Sequence, residues 1–234
     1  MPTLIHYPLC PFSRSIRLAA SECELDLVLE EERPWDWRPD FLELNPAGTL
    51  PLYRDDDDYG EVMLCGVYPI SEYLAEIGVD ETGDARAFSF FPGSEAERAE
   101  VRRLVDWFHH KFDSEVTSYL LGEKLHRRFN PDMGGAPDME MVRAGQANLR
   151  YHLTYIGHLA DERTWLAGEH LSFADLAAAA HLSCIDYLGD VPWGQAEDAK
   201  DWYARIKSRP SFRSLLSDRI PGIKPPDAYA DPDF

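Results

Sequence analysis

The sequence predicts an α/β domain followed by an all-helical domain, and three observations carry that prediction. Over about the first 78 residues, strand and helix signals run β, α, β, then two strands, then a helix. Beyond residue 94 no strand signal returns, and the apolar residues fall three and four apart. The chain has 234 residues, 44% of them hydrophobic, which is enough for two cores. The expected boundaries are residues 1–80 for the α/β domain, 94–216 for the helical domain and 217–234 for an extended, Pro-rich acidic tail.

Residues 3–7 (TLIHY) read as a short strand, and PLCPF turns the chain into a helix over 13–24 whose apolar positions include Ile16 and Leu18. Residues 25–31 (LDLVLEE) alternate apolar and acidic side chains, the pattern of a half-buried strand. A loop rich in Pro and Trp follows, then a helical turn at FLELN that stops at Pro46 and Gly48. LPLYR and VMLCG flank the acidic run DDDDYG as two strands and a turn, and ISEYLAEIG is a helix ended by Gly78. In the second half, Val101, Leu104, Val105, Phe108, Phe112 and Val116 mark one helix, and Val142, Leu149, Leu153, Ile156 and Leu159 another. FNPDMGGAPD is the loop between them. Ser172 and Asp175 form an S-x-x-D cap ahead of a run of four alanines, which predicts a central helix packed on all sides.

A formal net charge of −19 disfavours nucleic acid and anionic membrane surfaces, since both are held by clustered Lys and Arg. No apolar stretch approaches the ~20 residues a membrane helix needs, and the N-terminus lacks the pattern of a signal peptide. The cytoplasm is the expected compartment. Cys10, Cys23, Cys65 and Cys184 are too scattered for a disulfide framework or zinc site, and three of them are expected to be buried apolar residues. The histidines show no metal spacing, so no metal is expected.

The βαβββα order, the Cys10-Pro11-Phe12-Ser13 start to the first helix, Thr49-Leu50-Pro51 before the third strand, and Gly168-Glu169 with Ser172-Phe173-Ala174-Asp175 fall in one order along residues 3–216. Together they resemble the cytosolic glutathione transferase superfamily. The resemblance implies a thioredoxin-like N-terminal domain, a glutathione-transferase-type helical bundle and a homodimer. It implies a cis Leu50–Pro51 bond, with the Leu50 backbone placed to pair with the cysteinyl part of glutathione. Cys10, ahead of a helix N-terminus that favours a thiolate, matches branches that use this cysteine for thiol transfer. Ser13 sits where other branches bear a hydroxyl.

Glutathione-using relatives read E-S-x-A-I-x-x-Y-L at the last strand and following helix. Here Ile70, Tyr73 and Leu74 match, but Gly66 and Val67 replace the acid and the hydroxyl that hold the γ-glutamyl group. Each lost partner of a charged hydrogen bond costs several kcal/mol. Two losses weaken binding by a few orders of magnitude, at ~1.4 kcal/mol per tenfold. A degenerate glutathione site without catalysis or cofactor is therefore expected at Cys10, Ser13, Leu50, Pro51, Gly66 and Val67. The alternative is a glutathione-dependent thiol transferase or lyase with Cys10 as nucleophile.

Two segments offer partner-binding surfaces instead. Trp35, Trp37 and Phe41 crowd the loop RPWDWRPDF, where Arg33 and Arg38 are candidate cations, and aromatic residues with Arg are enriched at interface hot spots. The tail PPDAYADPDF offers Asp227, Tyr229 and Phe234 on an arm that docks at low entropic cost. These segments, with C-P-F-S and the altered G-V-Y-P-I junction, resemble a division-associated alphaproteobacterial branch of the superfamily. That narrower resemblance implies a homodimer that binds filaments of the tubulin-like FtsZ at the division site.

Overall fold

The strand β1 (Thr3–His6) has Leu4, Ile5 and His6 buried, as an interior strand requires. The computed structural model describes residues 1–57, 60–78, 88–130 and 132–231, in two units, Met1–Phe90 and Phe91–Phe234. In the first unit β1 leads to α1 (Pro11–Glu22), β2 (Val28–Glu31) and a short helix α2 (Pro39–Leu44), then β3 (Leu52–Asp57), β4 (Gly60–Cys65) and α3 (Val67–Ile77). The sheet order is β2-β1-β3-β4. β1 is parallel to β2, Leu4 facing Leu29, and antiparallel to β3, with Leu4 opposite Tyr53. β3 and β4 pair antiparallel from Leu52–Cys65 to Asp57–Gly60. The architecture is the expected thioredoxin-like one. α1 buries Ile16, Leu18, Ala19 and Ala20, and Pro11 sits in its first turn, where no amide partner is lost.

Four expectations change here. All of Val28–Glu31 is exposed because β2 ends the sheet; the half-buried alternation belongs to Leu25 and Leu27 just before it. The acidic run is strand as far as Asp57, and the rest of its turn, Asp58 and Tyr59, lies outside the described residues. α3 begins at Val67 rather than Ile70, because Gly66 caps it. Only Cys184 is buried; Cys10, Cys23 and Cys65 are half-buried.

The second unit is helical, as predicted. α4 (Glu95–Asp106) opens on a Ser94–Glu97 capping box and continues through wide π-helical turns at Trp107–Thr117 into α5 (Ser118–Leu121). A second wide turn, Gly122–His126, leads into α6 (Arg127–Phe129). α7 (Met139–Glu162), α8 (Phe173–Tyr187), α9 (Glu197–Lys207) and α10 (Arg213–Leu216) complete it. Every residue of α8 is buried, so it is the expected central helix. Its cap does more than satisfy the first turn: Asp175 Oδ1 accepts from Leu166 N at 2.9 Å and Trp202 Nε1 at 3.0 Å, and Oδ2 accepts from Ser172 N at 3.1 Å.

His109, His152 and His181 of this unit pack inside it. His181 Nε2 lies 3.1 Å from His109 Nδ1, and its Nδ1 lies 2.8 Å from Thr117 Oγ1. Trp107 Nε1 donates to His152 Nδ1 at 3.2 Å, so the His152 proton sits on Nε2, facing Glu115 Oε2 at 2.9 Å. Burial pushes His109 down to about 3 and His181 well below 6.5, which keeps both rings neutral.

The tail, expected as an extended arm, is docked over residues 217–231. Tyr229 is 1% exposed, donates to Leu215 O at 3.1 Å and stacks edge-on against Tyr187 at 5.1 Å. Tyr187 in turn donates to Ile223 O and accepts from Ile220 N. One 3-10 turn, Asp227–Ala230, departs from the predicted lack of helix, since Pro226 precedes it and leaves the turn its own amides. Among the described residues, no helix is long and apolar enough to cross a membrane.

Candidate functional site

Cys10 is the N-cap of α1, with extended backbone angles. Its amide donates to Tyr7 O and its carbonyl accepts from Arg14 N, both at 2.9 Å. The residue is held at the helix N-terminus where the sequence places it. Ser13, one turn on, is 0% exposed, and its hydroxyl has no hydrogen-bond partner among the described residues. It belongs to the interior of the unit, and its hydroxyl does not face solvent.

The Leu50–Pro51 bond is cis, as the resemblance implied. The loop that delivers it is organised by Asn45, a buried residue that sequence reasoning passed over. Asn45 Nδ2 donates to Thr49 O at 2.8 Å, its Oδ1 accepts from Ala47 N at 3.2 Å, and its carbonyl accepts from Gly48 N at 2.9 Å. An Asn followed by Pro and Gly is a turn-forming signal that pointed to it.

Gly66 joins this loop to α3: its amide donates to Pro51 O at 2.9 Å. At φ 90 and ψ 154 it adopts a backbone conformation that L side chains rarely take, although a Cβ there would meet nothing nearer than Pro69 Cδ at 3.9 Å. The α3 N-terminus thus begins with a residue that has no side chain, followed by Val67, 4% exposed. Neither Gly66 nor Val67 brings a carboxylate or a hydroxyl to this junction. Nearby, Cys65 Sγ lies 3.9 Å from Leu44 O, and burial pushes its thiol up from 9.0.

The three aromatic residues of the loop have three different fates. Phe41 is 2% exposed and belongs to the core, so its expected place on a partner surface is corrected. The reason is helical: α2 starts at Pro39 and turns Phe41 inward. Trp35 is half-buried, edge-on to Tyr7 at 4.9 Å. Trp37 is 58% exposed, at φ 48 and ψ 40, the left-handed region that costs a bulky residue roughly 1–2 kcal/mol. Its ring edge leans on Gly48, where an added Cβ would sit 3.2 Å from Cζ3. Trp37 therefore adjoins the loop that carries Leu50 and Pro51.

Arg33 and Arg38 are not free cations. Arg38 pairs with Asp40 at 2.6 Å and with Glu32 at 3.5 Å, and Arg33 lies 3.7 Å from Glu31. In the second unit, Asp227 is exposed and bonded to Lys224 at 2.9 Å, which holds its carboxyl below the usual range. Phe234 lies outside the described residues. Among the described residues no group of three or more His, Cys, Asp or Glu stands at metal-binding geometry.

Comparison with known proteins places these features. Residues 4–81 match the glutathione S-transferase N-terminal domain, and residues 137–210 match the glutathione S-transferase C-terminal domain. The chain is 45% identical over 232 residues to FtsZ-localized protein A of Caulobacter vibrioides, covering 99% of this chain and 98% of that one. The solved structure of FzlA from C. crescentus superposes with a TM-score of 0.92 at 45% identity, covering 100% of this chain and 99% of that one. A structure described as a glutathione S-transferase from Sinorhizobium meliloti superposes equally well, with a TM-score of 0.92 at 47% identity and 100% of both chains covered.

Proposed function

The chain belongs to the glutathione S-transferase family, and from that premise we propose that it is a non-catalytic, homodimeric, cytoplasmic protein that binds FtsZ filaments at the division site. The observation that carries this reading is the likeness to FtsZ-localized protein A along 99% of this chain, without a gap the size of a domain. The Gly66-Val67 junction supports its non-catalytic part. With no carboxylate at position 66 and no hydroxyl at position 67, a γ-glutamyl group would lack the two partners that pair its charges.

Trp37 supports the binding part, as a large exposed aromatic held in a costly backbone conformation next to the degenerate site. A dimer presents two such surfaces to a polymer with many partners, so modest contacts act together. Cosedimentation with FtsZ polymer at low salt tests the reading: the chain is expected in the pellet only when FtsZ is polymerised. Recovery in the supernatant under both conditions would remove its main support.

A second reading, a glutathione-dependent thiol transferase or lyase, is favoured by Cys10 at the α1 N-terminus and by the glutathione S-transferase description of the Sinorhizobium structure. Retention on immobilised glutathione, with a Cys10 adduct of about 305 Da from thiol–disulfide exchange, is the outcome that would make it the better one.

A further inference from the structure

β2 is an edge strand whose outer side is complete and uncovered. Val28 N donates to Pro2 O and Glu32 N to His6 O, which fixes the phase of the parallel ladder. Residues 28, 30 and 32 therefore turn their amides toward β1, and Leu29 and Glu31 turn their N–H and C=O outward. No hydrogen bond reaches those outward groups among the described residues. Val28 and Leu29 are 41% and 42% exposed, unusual for apolar residues side by side on a strand. Beside the strand lies a groove of about 610 Å³, lined in part by Ile5, Glu30, Phe41, Leu44 and Arg54.

Natural proteins blunt such edges because they template pairing with other chains. Here the pattern Val-Leu-Glu-Glu sets the partner that fits. A second copy paired antiparallel about the strand centre would place Val28 against Glu31 and Leu29 against Glu30, apolar groups against carboxylates. A like-charged segment would be repelled further, since the first 90 residues carry 6 Lys and Arg against 19 Asp and Glu.

We infer that the outer edge of β2 accepts an extended segment of a partner protein by strand addition, and that this segment is basic then apolar. Read antiparallel, it has two basic residues opposite Glu31 and Glu30, then two apolar residues opposite Leu29 and Val28. Main-chain bonds to Leu29 and Glu31 supply the attachment, and the side chains supply the selection. The present companions of the two acids, Arg54 for Glu30 and Arg33 for Glu31, are exposed pairs at 3.1 and 3.7 Å. Pairs of that kind contribute little and exchange readily. The main-chain groups of Leu29 and Glu31 that it uses do not involve Trp37, Cys10 or Gly66, so the inference stands whether or not the chain binds FtsZ.

The test is an amide nitrogen–proton NMR titration of the full chain with a capped decapeptide carrying Lys-Lys-Val-Ile between Gly-Ser flanks, against the same peptide carrying Glu-Glu-Val-Ile. The basic peptide is expected to shift amides centred on residues 28–32, and the acidic one to leave them in place. Glu31→Lys should weaken binding about tenfold. Leu29→Pro removes one outward donor and no ladder bond, so it should abolish binding with the fold intact. If its own spectrum shows Leu29→Pro to be unfolded, Glu31→Lys decides alone. Shifts centred elsewhere, equal binding of both peptides, or no shift at millimolar peptide would overturn the inference.

Discussion

The two units carry charge unequally. The first 90 residues carry 6 Lys and Arg against 19 Asp and Glu, a net −13, and the remainder carry 17 against 23, a net −6. In the first unit Asp40, paired with Arg38, is 70% exposed, and Glu30, paired with Arg54, is 50% exposed, while Glu32 beside Arg38 is buried. In the second, Asp175, Asp186, His109, His152 and His181 are buried inside hydrogen-bond networks. Charges in water are screened and cheap to alter; buried ones are tied to the fold. Substitution of those exposed acids should therefore change recognition in the first unit, and substitution of the buried groups should change stability in the second.

The sharpest way to break that contrast is to remove one aspartate from each unit. Asp175→Ala leaves Leu166 N and Trp202 Nε1 without their buried acceptor and uncaps the central helix. A loss of about 3–5 kcal/mol is expected. Asp40→Ala should stay within ~0.5 kcal/mol. Urea unfolding followed by helical circular dichroism measures both, and equal losses would dissolve the distinction.

Within the first unit, Phe41 and Trp37 separate packing from recognition. Phe41→Ala empties a core position and should cost about 3–5 kcal/mol. Trp37→Ala should leave the unfolding midpoint almost unmoved, because the ring is exposed and the left-handed backbone strain, which comes from Cβ, is the same in both. FtsZ cosedimentation should nevertheless weaken by roughly 2 kcal/mol, about thirtyfold. If Trp37→Ala cosediments like the wild type, the exposed indole is not the contact.

The different fates of these aromatic residues show what was legible in the sequence. The α/β-then-α order, the Ser172–Asp175 cap and the all-buried α8 followed from periodicity, because each is a local pattern tied to one element. Phe41 was misplaced because a six-residue helix, too short for its own periodicity to speak, turned it inward. β2 was misread because alternation does not say whether a strand is central or at an edge; that is a property of the sheet order. Cys10 and Gly66 could be placed from motif spacing. The docking of Tyr229 on Tyr187 and the His109–His181 pair are contacts between distant segments, which spacing does not encode, whereas the Asn45 loop is local and its turn residues were readable.

The buried titratable groups give the second unit a pH response with two opposing parts. His109 and His181 are held by burial far below the 6.5 at which unfolded imidazoles take up protons. Their contribution is intact above about pH 6.5 and is lost on acidification, at up to about 1.4 kcal/mol per pH unit for each ring. Asp113 acts the other way. Burial pushes its carboxyl up to about 6, against 3.8, with Ser118 Oγ donating to it at 3.0 Å. Ionised Asp113 costs stability above pH 6, and the cost is relieved as pH falls. Asp113→Asn should therefore stabilise by about 1–2 kcal/mol at pH 7.5, with the gain vanishing near pH 4. The variant should also lose stability more steeply than the wild type between pH 7 and 5. A gain independent of pH would trace the effect to packing instead.

The smallest expected effect returns to the first unit and asks whether its site is degenerate for want of two side chains. A Glu at position 66 has room, since only Pro69 Cδ approaches its Cβ, at 3.9 Å, but φ 90 makes it pay a backbone cost of about 1 kcal/mol. Val67→Ser gives up some buried apolar surface and adds a hydroxyl in the first turn of α3, where unpaired amides favour an anionic ligand. The double variant Gly66→Glu, Val67→Ser should be slightly less stable than the wild type and should gain measurable retention on immobilised glutathione, about tenfold or more over an unretained parent. FtsZ cosedimentation should persist, because Trp37 is untouched. If the parent is already retained, the degenerate-site reading fails; if neither protein is retained, the block lies beyond these two positions, in the groove itself.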